Sequence, residues 1–126
     1  MLMQIDIRFT LEAIIPPAAA LPSREIGAAV EFLGIVRETE GSNSLEGLHY
    51  EAYETMARRQ LEQIFAAFQE SHPCAAVCFI HRLGWVPVGE ASLFIRVLAA
   101  HRREALNFLS LAVDQMKADV PIWKRV

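Results

Sequence analysis

The chain has 126 residues, 53% of them apolar and 21% charged, with twelve Lys and Arg against fifteen Asp and Glu for a net charge of −3. That length holds one domain whose core needs neither a disulfide nor a structural metal, and the apolar content excludes disorder as the main state. The acidic balance excludes a general nucleic-acid binder, and no apolar run approaches the roughly 18 residues of a membrane helix.

At the N-terminus no basic segment leads into an apolar one, and Asp6 stands early. No signal peptide is expected, and the cytoplasm is the expected compartment. Ile5, Ile7 and Phe9 alternate with Asp6 and Arg8, the pattern of a short half-buried strand. Pro16-Pro17 stops regular structure, and Pro22-Ser23 marks a turn or a helix start. Residues 27–37, GAAVEFLGIVR, read as a second strand; the polar stretch 38–47, with Gly41, Ser42, Asn43 and Ser44, reads as a loop. Alternation then resumes, with Leu48, Tyr50 and Ala52 on one side and His49, Glu51 and Tyr53 on the other.

Residues 56–70 read as a helix with Leu61, Ile64, Phe65 and Phe68 on one stripe and Thr55 as its cap. Residues 75–80 form an apolar strand, broken by Gly84 and Pro87, and residues 90–100 a longer one. A second helix is expected over about 102–118, with its core face at Leu106, Leu109, Val113 and Met116 and its end at Pro121. Helices alternating with strands point to an α+β fold over residues 1–126, helices on a mostly antiparallel sheet, with a hairpin excursion around 38–48.

Cys74 and Cys78 lie four apart in CAAVC. On one strand they share a face about 13 Å apart, which forbids a bond between them and leaves two small core residues in a reducing compartment. The four histidines have no tight metal spacing, and nucleotide-loop, zinc-protease and hydrolase motifs are absent.

Charge is uneven along the chain. Residues 1–63 carry five basic and ten acidic side chains, residues 64–126 seven and five, so an anionic ligand is expected on the second half. His101-Arg102-Arg103 stands where a strand gives way to a helix. Unpaired N–H groups there favour an anion, and arginine adds a planar fork; the alternative is a solvated first turn with Glu104 as counter-charge. His81-Arg82 reads as a hydrogen-bonded turn. Lys117 reads as a C-terminal helix lysine, Arg37 as a surface arginine at a strand end, and Tyr50 and Tyr53 as sheet or interface aromatics. Trp123, so near the end, is expected to dock and to hold Lys124 near the body. Two lysines brought close together near arginines would have their charged forms disfavoured.

Five segments carry a resemblance: FLGIVR at 32–37, LHYEAYETMA at 48–57, IHRLGWVPVGE at 80–90, AHRREAL at 100–106 and KADVPIWK at 117–124. In this order and spacing the chain resembles the catalytic, large-subunit family of molybdopterin synthase. The resemblance implies an α/β hammerhead-type domain with a small antiparallel β subdomain, and a homodimer at the centre of a heterotetramer. It implies a small ubiquitin-like sulfur-carrier partner that inserts a C-terminal Gly-Gly thiocarboxylate. Sulfur then passes twice to cyclic pyranopterin monophosphate, giving the dithiolene of molybdopterin, with no cofactor or metal of the subunit's own.

Carried over residue by residue, the family's strand-end arginine matches Arg37, its helix-start pair His101 and Arg102, and its two active-site lysines Lys117 and Lys124. All five are expected to bind substrate. Lys117 is the candidate for proton transfer or a transient covalent bond, Lys124 for orienting the thiocarboxylate, and Arg37, His101 and Arg102 are expected to converge on one pocket, with Arg37 drawn from either subunit. The family commonly has glutamate where Val126 stands, followed by a further tail. The competing expectations are a non-catalytic scaffold derived from the family and a small phosphate-ligand binding protein.

Overall fold

The computed structural model describes residues 2–126. In chain order the elements are β1 (Gln4–Thr10), β2 (Ala28–Ile35), the short strands β3 (Thr39–Glu40) and β4 (Asn43–Ser44), β5 (Gly47–Ala52), α1 (Glu54–Gln69), β6 (Ala76–Arg82), β7 (Gly84–Pro87), β8 (Ala91–Ala99), α2 (Arg102–Asp119) and β9 (Ile122–Arg125). A four-stranded sheet has the order β1-β6-β8-β2, with β1 and β6 parallel and the other pairs antiparallel. β3 and β4 form a hairpin, and a second, antiparallel sheet has the order β7-β5-β9. The α+β class is therefore as the strand and helix pattern implies, with the three-stranded sheet as the small β subdomain.

Apolar periodicity accounts for the layering. Ala57, Leu61 and Phe65 of α1 and Ala105, Phe108, Leu109, Ala112 and Met116 of α2 form one core with Val77, Phe79, Ile95 and Val97 of the large sheet. Phe65 joins the layers, its ring centroid 6.3 Å from Phe79 and 5.9 Å from Phe108. The central strand β8 is buried from Ser92 to Ala99, so its run reads as continuously apolar except for Ser92 and Arg96. That arginine bonds Glu31 at 2.6 Å and lies over the Phe94 ring, which satisfies its charge at the sheet surface. A smaller core of Val36, Leu45, Leu48 and Val86 joins the end of β2 to the small sheet. Gly47 permits that junction: a Cβ there would lie 2.5 Å from the Trp85 ring and 2.6 Å from the Val86 carbonyl oxygen.

Several local expectations are corrected. Helix α1 starts at Glu54 with Tyr53 as N-cap, so Thr55 lies inside it and caps nothing. The Tyr53 N–H donates to the Pro121 carbonyl at 3.2 Å and its carbonyl accepts from Ala57 at 2.7 Å, so pairing of β5 with the C-terminal segment sets the helix start. Leu106 is half exposed, and the buried face of α2 instead includes Ala105 and Ala112, whose small side chains admit close approach to the sheet. The strand does break at Gly84, whose positive φ turns the chain out of the large sheet, but residues 84–87 then form β7 of the second sheet, where no strand was expected. Cys74 lies before β6, in the helix-covered core with its N–H bonded to the Gln69 side chain, whereas Cys78 is half-buried beside Asp6 and Arg96. The two thiols therefore do not share a face; both are free.

Candidate active site

The two sheets and the end of α2 enclose a cleft of about 630 Å³. Alternation along β5 and β9 turns Leu48, Tyr50, Ile122 and Lys124 to its interior, with Tyr50 and Lys124 paired across the strands. Lys117 enters from the last turn of α2, next to the buried Met116, whose carbonyl accepts the Val120 N–H at 3.0 Å. Arg37 enters from the end of β2. Its neighbour Val36 is buried and bonded both ways to the turn after β7, donating to Glu90 at 3.0 Å and accepting from Gly89 at 2.8 Å. Gly89 has φ 87, a conformation that side chains rarely adopt, so this glycine is part of what fixes Arg37.

Three cations from three separate segments thus share one cleft with a single carboxylate, Glu40 of β3. Lys124 Nζ donates to Glu40 Oε1 at 2.7 Å. That bond, with further attraction from Arg37 and Lys117, holds the Glu40 carboxyl below its ordinary pKa.

His81 forms part of the inner wall and is only 4% exposed. Its Nδ1 stands 2.8 Å from the Arg82 carbonyl oxygen, and because that oxygen only accepts, Nδ1 carries the proton. The ring packs edge-on against Tyr50 with centroids 5.1 Å apart. Burial lowers the His81 pKa to about 4, partly opposed by the bond to Arg82, so the imidazole is neutral at pH 7. The wall therefore combines fixed positive charge with an uncharged imidazole and an aromatic face, a surface suited to an anionic ligand with a planar ring.

His101 and Arg102 lie elsewhere. They line a second cavity with Gly27, Ala100 and Arg103 at the start of α2, whereas Lys117 sits in its last turn. A helix of 18 residues is about 27 Å long, so within one chain the expected convergence of Arg37 with His101 and Arg102 does not occur. Lys117, Lys124 and Arg37 are brought together; His101 and Arg102 are not. Trp123 does not anchor the C-terminus by burial: it is 53% exposed and packs edge-on against Tyr53, while backbone pairing of β9 with β5 and half-buried Ile122 hold Lys124 in place.

Neither thiol enters the cleft. Burial, with a smaller contribution from Glu104, raises the Cys74 pKa to about 12, and burial raises that of Cys78 as well, so neither thiol is poised to become a nucleophilic thiolate. Among the described residues no cluster of three or more His, Cys, Asp or Glu side chains is arranged to hold a metal ion, and no helix is long and apolar enough to cross a membrane.

Sequence reasoning missed His81, Tyr50 and Glu40 as parts of the site. The phase of β5 put Tyr50 on the same side as Leu48, but only the pairing of β5 with β9 brings it to Lys124. Glu40 and Lys124 are 84 positions apart, and no local pattern links them.

The chain is 40% identical over 99 residues to the molybdopterin synthase catalytic subunit of Oryza sativa subsp. indica, covering 79% of this chain and 51% of that relative. It spans between 27% and 65% of the length of other curated relatives of the same description. The crystal structure of molybdopterin synthase from Staphylococcus aureus superposes with a TM-score of 0.80 at 31% identity, covering 92% of this chain and 86% of that one. A complex of subunits 1 and 2 of molybdopterin-converting factor from Helicobacter pylori shares the fold, with a TM-score of 0.72 at 23% identity over 94% of this chain and 82% of that one. The family model described as MoaE protein matches residues 7–119, which include Arg37, His81, His101, Arg102 and Lys117, and the chain belongs to that family.

Proposed function

We propose that the protein is the catalytic subunit of a molybdopterin synthase, a sulfurtransferase of molybdenum cofactor biosynthesis acting in the cytoplasm. Its sulfur donor is a small ubiquitin-like carrier ending in a Gly-Gly thiocarboxylate, and its acceptor is cyclic pyranopterin monophosphate. The observation that carries this reading is the gathering of Arg37, Lys117 and Lys124 in one cleft beside a neutral imidazole. Both reactants are anions, and the names of the relatives point to the same activity.

In each transfer the thiocarboxylate sulfur bonds to a side-chain carbon of the pterin as the carbon–oxygen bond at that carbon breaks. The oxygen leaves protonated as water from one carbon and stays with the opened cyclic phosphate at the other. The acyl–sulfur bond then breaks, with water supplying the oxygen that returns the carrier as a carboxylate. Arg37 offers a fork for phosphate oxygens, Lys124 orients the thiocarboxylate, and Lys117 moves the proton at the pterin side chain. The test is incubation of the protein with thiocarboxylated carrier and cyclic pyranopterin monophosphate. Formation of molybdopterin is expected, and its absence with an authentic carrier overturns the reading.

His101 and Arg102 join this site through a second copy of the chain. β2 is an edge of the large sheet, and Leu33 and Ile35 on it are about half exposed. The helix-start cavity lies at the Gly27 end of β2, and Arg37 lies just beyond its other end. An isologous antiparallel contact along β2 reverses these ends, so each copy's His101 and Arg102 approach the partner's Arg37, Lys117 and Lys124. Sedimentation at micromolar concentration is expected to show a dimer; a species of one chain only contradicts the shared site.

A further inference from the structure

Glu40 has a position that the sulfur-transfer reading leaves unused. It is the one carboxylate among the residues lining the cleft, and it is bonded to Lys124, the lysine assigned to the carrier's terminus. A side-chain carboxylate and a C-terminal thiocarboxylate have the same charge and a similar planar pair of acceptor atoms. The hairpin that bears Glu40 is built to yield. Its base is tied by the Leu45 N–H to the Glu38 carbonyl at 2.7 Å and by burial of Leu45, whereas its tip turns at Gly41, around which there is open space. The hairpin strands are two residues each, too short to hold Glu40 by pairing alone.

We infer that Glu40 is the displaceable occupant of the carrier-terminus seat, holding Lys124 in place in the resting cleft and giving way only to a carboxyl-type terminus delivered by a docked carrier. It makes the site selective: a small free anion must compete with Glu40 unaided, whereas the carrier brings contacts from its folded body. The inference rests on the proposed role of the cleft.

The probe is acetyl-Gly-Gly, a free terminus without a carrier body, titrated into the full chain at low salt, with inorganic phosphate as a second arm. Glu40→Gln is expected to bind acetyl-Gly-Gly about fivefold more tightly than the parent, as one exposed like charge is removed, and the gain should shrink at high salt. In the background of Lys124→Gln the same substitution is expected to give no gain, a result that a merely structural role of Glu40 would not produce. Unchanged or weaker binding by Glu40→Gln overturns the inference, as does binding by neither chain, or a gain for phosphate alone. Molybdopterin formation is measured in parallel on the parent. Product without the affinity gain removes Glu40's role and leaves the sulfur-transfer reading. The gain without product overturns the sulfur-transfer reading and with it the carrier assignment, leaving Glu40 only as the displaceable occupant of an anion seat.

Discussion

Lys117→Arg is expected to lower single-turnover sulfur transfer by about 100-fold or more while changing carrier affinity by no more than about threefold. Arginine keeps the positive charge but does not release its proton, so the substitution separates proton transfer from electrostatic attraction. The backbone should tolerate it, because Lys117 is exposed to the cleft and Met116, not Lys117, packs in the core. Lys124→Arg should retain more activity, since orienting a thiocarboxylate asks for charge and hydrogen bonds rather than a mobile proton. Rapid-mixing transfer assays on the two variants rank them. Near-parental transfer by Lys117→Arg would reduce Lys117 to an electrostatic contact.

Stability should fall with acidity in a window set by His81. Burial lowers its folded pKa to about 4 from the ordinary 6.5, so above pH 6.5 the imidazole is neutral in both states and the fold suffers no penalty. As pH falls through 6.5 the unfolded chain takes up a proton that the folded chain refuses. The loss grows to about 3 kcal/mol near pH 4 and then levels off. His81→Asn, whose amide can still donate to the Arg82 carbonyl, is expected to remove this part of the pH dependence. Urea unfolding at pH 7 and pH 4.5 measures it. Equal losses in parent and variant would mean that acid destabilisation comes from other groups, such as the Glu40–Lys124 pair.

Legibility from the sequence follows the range of the forces involved. The helix stripes and most strands rest on periodic burial, and both helices form within two residues of their expected starts. The misplaced features depend on partners distant in sequence. Thr55 has the chemistry of a cap, but the bond from Tyr53 to Pro121 starts the helix earlier. Leu106 is larger than Ala105, yet close approach of α2 to the sheet favours the smaller residue on the buried face. Cys74 and Cys78 follow strand alternation only if both lie in a strand, and β6 starts after Cys74.

The site divides in the same way. Arg37, Lys117 and Lys124 were recognisable through the resemblance. Arg37 follows the end of β2 and Lys117 lies in the last turn of α2, while Lys124 lies within β9, which pairing with β5 brings to the cleft. His81 looked like a turn residue because its burial comes from Tyr50 and the second sheet, neither adjacent in sequence. His101 and Arg102 belong to the other end of an 18-residue helix, a separation that helix length alone makes calculable once the helix is assigned.

The most direct test follows the sulfur itself. A carrier bearing isotopically labelled sulfur in its thiocarboxylate is mixed with the protein and cyclic pyranopterin monophosphate, and the product is analysed by mass spectrometry. Transfer in the Lys117–Lys124 cleft predicts label at both dithiolene positions, two carriers returned as carboxylates for each product, and loss of labelled product with Lys117→Arg. Unlabelled dithiolene, or fewer than two carriers consumed for each product, would contradict it.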